Sequence, residues 1–445
     1  MKRISWKFMI AVVVMLAAAF GFASNAFASG STEKSPQPAS SAPAMSGPTT
    51  VTLLIDNQTS LNGIKAVAAA AEKKLNIKLN IDLRPGGDAG DNLVRTRLAT
   101  GEMDDISFYN SGSLFQELHP NKFFVDLTNE PYMSNVLASY KKTVEVNGQV
   151  YQAPGQTVMG GGWLYNRKVY AQLGLSVPKT WNELIANSQK IKAAGITPIL
   201  ASYKDSWTAQ LIPLADFYNV QQADPTFAAD FTANKAKFAD TPAALSGFQK
   251  LQQVFKLGLI NSDAASTTYN QALQMLLDGK GGQYPMLTFA FANLESMDAQ
   301  KAQDIGFFAQ PGDSASSNGL TLWMPAGFSV YNQSKNVDAA KKWIAYFEST
   351  EGIDTFMSAE KPGGPFAVKG IKLPDNILPG VKDMLPYVDG GNTAPALEFV
   401  SPLKGPNLPQ ICVSDGLGLE TPTQAAQDYD KDVQKQAKQL GLPGW

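Results

Sequence analysis

The side chains able to make and break bonds are few in this sequence. His119 is the only histidine and stands directly before Pro120, with no serine recognisably paired to it, so a Ser-His-Asp triad is not expected. Cys412 is the only cysteine, which leaves no internal disulfide, zinc cluster or redox pair within one chain and suits a small buried apolar residue. Asp104 and Asp105 are adjacent carboxylates, but neighbours along a strand point to opposite faces, so both are read as loop and structural residues. A glycosidase needs two carboxylates about 5 to 10 Å apart. Such partners can be remote in the chain, and that alternative stays open. Gly160-Gly161-Gly162 lacks the Lys-Ser/Thr sequel of a phosphate loop, and no metal-ligand cluster or cofactor motif appears.

What remains is suited to gripping rather than reacting. A ring with hydroxyls around its edge and C–H patches on its faces is held by flat aromatics and by planar amides or carboxylates. Tyr109, Asn110, Asp205, Trp207 and Trp323 are of these types and fall at strand ends or in connecting segments. Asn57, also at a strand end, and Glu398, an acid interrupting an apolar stretch before Phe399, extend the set.

The elements that must position them begin with Val51-Thr52-Leu53-Leu54-Ile55, a β-branched and apolar run of strand length ending at Asp56-Asn57-Gln58. Ser60 is expected to cap the alanine-rich helix that follows, through Lys74. A second strand over 77–83 ends at Arg84-Pro85-Gly86-Gly87, with a helix over about 91–100 and a third strand over 106–108 after it. Strands alternating with helices predict a parallel, doubly wound sheet, whose ligands meet the loops at the carboxyl ends of the strands. Further on, Asn147-Gly148 between Val144-Glu145-Val146 and Gln149-Val150-Tyr151 predicts a hairpin with a type I′ turn. The glycine-rich run into Trp163-Leu164-Tyr165-Asn166 predicts a strand that bends where the chain crosses between two lobes. Thr180 with Glu183 three residues on is a capping box.

The ordered series Gly148-x-x-Tyr151-x-x-Pro154, Tyr165-Asn166, Gly174-Leu175, Pro178-x-Thr180-Trp181-Asn182-Glu183 and Gly195-x-Thr197-Pro198 resembles the extracellular solute-binding proteins of ABC sugar importers, the maltose-binding-protein-like group. Val125-Asp126-Leu127-Thr128 and the segment 98–106 match it too, the latter with Asp104 where proline is usual. The resemblance implies a two-lobed α/β fold of the periplasmic-binding-protein type II class. Each lobe would be a mixed, mostly parallel sheet flanked by helices, with three hinge crossings. Residues 49–154 and 328–366 are expected in lobe one, and 155–327 and 367–445 in lobe two. The resemblance also places Phe289 in the cleft, where relatives usually carry tryptophan. It implies a mono- or oligosaccharide bound between the lobes and delivered, by a monomer without cofactor, to the transmembrane subunits of an ABC permease.

With 17% charged and 44% hydrophobic residues the composition is that of a globular protein. Lys2, Arg3 and Lys7, an apolar run over 8–22 and Ala26-Phe27-Ala28 predict a signal peptide over 1–28, since the run falls short of the roughly 20 residues a membrane span requires. The Ser-, Pro- and Ala-rich residues 29–48 are expected to be a flexible leader. Removing the three signal cations from 37 leaves 34 against 39 acids, a negative balance that argues against nucleic acid as partner. Many relatives are lipoproteins, but no cysteine stands near this signal, so a periplasmic receptor is expected.

Overall fold

In the computed structural model, which describes residues 47–445, the apolar run at the start of the folded chain is β1 (Thr49–Asp56), with Val51, Leu53, Leu54 and Ile55 buried. The expected signal peptide and the leader up to residue 46 lie outside the described residues. β1 pairs in parallel with β2 (Ile77–Arg84) and β3 (Ile106–Tyr109), and the helices Asn62–Leu75 and Gly87–Thr100 make the crossovers. Ser60 does not cap the first helix. Its hydroxyl donates to Glu360 Oε2 at 2.7 Å, and the same oxygen accepts from the Gly63 N–H at 3.1 Å, so a remote acid satisfies the helix start in place of a local cap.

The predicted hairpin is β4 (Glu145–Val146) with β5 (Gln149–Val150), and Asn147 and Gly148 take φ of 54° and 82° as a type I′ turn requires. β6 (Ala153–Pro154) is the last strand of this part of the first sheet, and β7 (Met159–Asn166) opens the second. The capping box forms: Thr180 Oγ1 accepts from the Glu183 N–H at 3.3 Å, and Glu183 Oε2 from the Thr180 N–H at 3.2 Å. The second sheet then gains β8 (Thr197–Ile199), β9 (Gly281–Leu287), β10 (Ile305–Ala309) and β11 (Leu320–Trp323). β12 (Gly327–Val330) returns to the first sheet, and β13 (Thr393–Pro395) forms an edge of the second. The strand orders are β2-β1-β3-β12-β6 and β13-β11-β7-β9-β8, with β10 beside the far half of β7.

The sheets are mixed and mostly parallel in strand direction, as expected, with one reversed strand in each. β7 runs antiparallel to β9, β10 and β11, and β12 antiparallel to β3 and β6. The cause is topological. β7 and β12 each enter their sheet from the other lobe, at the cleft, and run away from it, while their neighbours run toward it. Consequently β1, β2, β3, β9 and β11 all end at the cleft.

Two hydrophobic cores sit behind these sheets. One gathers Val51, Leu53, Phe108, Phe328 and Trp343; the other gathers Trp163, Phe231, Phe248, Tyr429 and the buried Cys412. Residues 367–445 were expected in lobe two, yet Ala367 and Val368 pack in the first core and only Leu373 and Ile377 onward in the second. The Leu137 N–H donates to the Ala367 carbonyl at 2.9 Å and the Lys369 N–H to the Asn135 carbonyl at 2.8 Å, which holds this segment on lobe one.

Candidate functional site

Six of the eight expected residues, Tyr109, Asn110, Trp207, Phe289, Trp323 and Glu398, line one cavity of about 190 Å³ between the lobes. Tyr109 ends β3 and Trp323 ends β11; Phe289 follows β9, Trp207 lies in the 3₁₀ turn Ser206–Gln210 beyond β8, and Glu398 in the turn Leu397–Phe399 after β13. The site is therefore built mainly from carboxyl ends of strands, as a crevice in an open α/β sheet should be.

The floor is aromatic. Trp207, Phe289 and Tyr269 pack with ring centroids 5.4 to 6.0 Å apart. The Trp323 ring packs against Gly161, where a Cβ would come within 2.2 Å of it, which accounts for a glycine in the middle of β7. The Trp323 indole N–H donates to Glu398 Oε1 at 2.5 Å, and Glu398 Oε2 pairs with Lys404 Nζ at 2.8 Å. Both ions of this pair are buried, so the three side chains form a satisfied network that fixes the ring.

The opposite wall belongs to lobe one. The Arg84 guanidinium stands 5.3 Å from the centroid of the fully buried Tyr109 ring, and Asp91 lines the cavity beside them. Burial pushes the Asp91 carboxyl above the ordinary range while Arg84 pulls it down, and burial, followed by Asp91, pushes the Tyr109 hydroxyl well up. Two cavity-lining side chains carry a buried polar atom without a protein partner, Arg84 Nε and Gln210 Oε1, while the Tyr109 hydroxyl is directed at Asp91.

Asn57 and Asp205 do not line the cavity. Asp56 ties the turn after β1, with Oδ1 accepting from the Gln58 and Thr59 N–H groups at 3.0 and 2.8 Å, and this carries Gln58 into the cavity and leaves Asn57 exposed. Both oxygens of Asp205 are taken, Oδ1 by Gln58 Nε2 at 3.1 Å and Oδ2 by the Tyr269 N–H at 2.7 Å. Sequence reasoning missed Gln58, Arg84, Asp91, Gln210 and Lys404. Gln58 and Arg84 sat at strand ends already read; the others stand on no strand end or motif. Trp163, on β7, is core, its indole N–H donating to Gln310 Oε1 at 2.6 Å. Asp105 is structural, accepting from the Thr52 N–H at 2.8 Å and from Ser334 Oγ at 2.5 Å. Among the described residues no group of His, Cys, Asp and Glu could hold a metal ion, and no helix is long and apolar enough to cross a membrane.

Two lobes with strand ends converging on an aromatic-floored cavity define a binding protein of the hinged, two-lobed class. Residues 56–354 match the model of the bacterial extracellular solute-binding proteins, and the chain belongs to that family. The multiple sugar-binding protein of Streptococcus mutans serotype c is 26% identical over 307 residues, 67% of this chain and 70% of its own. A solved chitin oligosaccharide binding protein superposes with a TM-score of 0.73 at 19% identity, covering 88% of this chain and 99% of its own. The solute-binding protein RafE, solved in complex with raffinose, superposes with a TM-score of 0.72 at 20% identity over 87% and 99%. At such identities the likeness to solved structures is one of fold.

Proposed function

We propose that this protein is the substrate-binding component of an ABC importer, and that it takes a neutral carbohydrate of one or a few rings into the cavity between its lobes and passes it on unchanged. One observation carries the reading: an aromatic floor, with the Gln210 amide in the same turn as Trp207, faces a wall that mixes donors and acceptors, Arg84 and Tyr109 with Asp91. A hydroxyl both donates and accepts, so vicinal hydroxyls meet both kinds of partner. A carboxylate or phosphate only accepts; it would suit Arg84 and leave Asp91 and Gln210 unmet. About 190 Å³ holds on the order of a dozen water sites, comparable to the roughly dozen non-hydrogen atoms of a hexose.

The sugar-binding relatives support the carbohydrate class, and the family's extracellular character supports a periplasmic site of action and a permease as partner. Against a glycosidase stands Glu398, whose oxygens are engaged by Trp323 and Lys404. Titration calorimetry with neutral mono- and oligosaccharides, a uronic acid and a sugar phosphate tests the reading. A neutral sugar should bind and be recovered intact. Cleaved sugar, or heat only with acidic sugars, peptides or amino acids, contradicts it.

A further inference from the structure

We propose that Gln58 is the positioning residue that joins closure of the lobes to the setting of the aromatic floor; this rests on the reading that the ligand sits on that floor. Gln58 belongs to lobe one, in the turn that Asp56 holds, and bonds lobe two three times. Its side-chain Oε1 accepts from the Trp207 indole N–H at 3.0 Å, its Nε2 donates to Asp205 Oδ1 at 3.1 Å, and its backbone carbonyl accepts from Asn293 Nδ2 at 2.8 Å.

These bonds reach the floor by two routes. Trp207 is one of its rings, and its indole N–H finds its partner on the opposite lobe. Asp205 also accepts from the Tyr269 N–H at the start of the helix Tyr269–Leu277, and Tyr269 is the ring packed on both Trp207 and Phe289. Separating the lobes breaks all three bonds, frees the Trp207 ring about its side-chain torsions and leaves the Asp205 carboxylate one donor short. Closing them sets ring and carboxylate together. Every partner is a protein group, so Gln58 biases the lobes toward closure whichever sugar is present, and raises affinity by pre-forming the floor.

Two variants separate this role from simple ligand contact. Gln58→Glu keeps an acceptor for Trp207 but loses the donor to Asp205 and sets two carboxylates face to face. Adding Asp205→Asn restores the pairing in reverse, because the new amide donates to the new carboxylate while its oxygen still accepts from the Tyr269 N–H. Small-angle scattering of the sugar-free proteins reads closure, calorimetry with the best neutral sugar reads affinity, and thermal melting checks folding. Gln58→Glu should raise the radius of gyration and weaken affinity roughly tenfold to a hundredfold, and the double variant should recover both to within a few-fold. An unchanged radius in Gln58→Glu overturns the proposal, as does a double variant no better than the single one. The scattering arm needs no ligand, so if no sugar binds the wild type, the functional reading fails while the role of Gln58 is still decided.

Discussion

Arg84 shows what a strand end hides until its neighbours are known. As the last residue of β2 it could have been an ordinary solvated cation, yet it is buried, faces the Tyr109 ring and offsets the charge of Asp91. Arg84→Ala should weaken sugar binding roughly tenfold to a hundredfold, the worth of a hydrogen bond to a charged group. Arg84→Lys should fall between, since it keeps the charge but loses the planar guanidinium. Calorimetry on both variants checks this, and undiminished affinity in the alanine variant removes Arg84 from the site. Much of the site was legible at this scale, because aromatics and amides at strand ends follow from the strand pattern. Which residue of a turn points inward was not. Asn57 and Gln58 differ only in how Asp56 folds the turn between them, a set of bonds with no signature in local composition.

Among the elements, what was local was readable. The Asn147-Gly148 hairpin and the Thr180–Glu183 capping box are settled by residues close together in the chain. What failed depended on distant chain: Glu360 displaces Ser60 at a helix start 300 residues away. Which strand of each sheet is the reversed one likewise depends on the side from which the chain enters each lobe. The loop after β3 gives a prediction at this scale. Gly112, with φ of 75°, lies so close to the turn Leu397–Phe399 that a Cβ would stand 2.5 Å from the Glu398 carbonyl oxygen and 2.8 Å from the Phe399 ring. Gly112→Ala should therefore hold the lobes apart, at a cost of about 1–3 kcal/mol in strain and contact. The expected reading is about a tenfold or greater loss of sugar affinity with a larger radius of gyration in scattering. Wild-type affinity in this variant contradicts the close seating of loop on turn.

For the molecule as a whole, stability carries an alkaline weakness. Glu348 in the first lobe and Asp415 in the second are buried acids; burial pushes the first well above the carboxylate range and the second, with Glu420 adding, to about 8. An unfolded aspartate titrates near 3.9. Between that value and about 8 the folded chain keeps a proton at Asp415 that the unfolded chain releases, so stability falls as pH rises through this window. Asp415→Asn keeps an acceptor for Gln252 Nε2 and has no such proton to lose. It should raise stability at pH 8 by on the order of 1–3 kcal/mol and leave pH 4 nearly unaffected, as denaturant melts at the two values would read. Equal slopes against pH in both proteins contradict the assignment.

The strand β12 has a consequence for how the polypeptide comes into being. It fills the slot between β3 and β6, although residues 155–326 of the other lobe are synthesised before it. A nascent chain that stops short of Val330 leaves the backbone edges of β3 and β6 bare, which is the condition that recruits stray strands and favours aggregation. Neither half can finish before nearly the whole polypeptide exists, so a fragment ending at a lobe boundary is an unfinished sheet rather than a small protein.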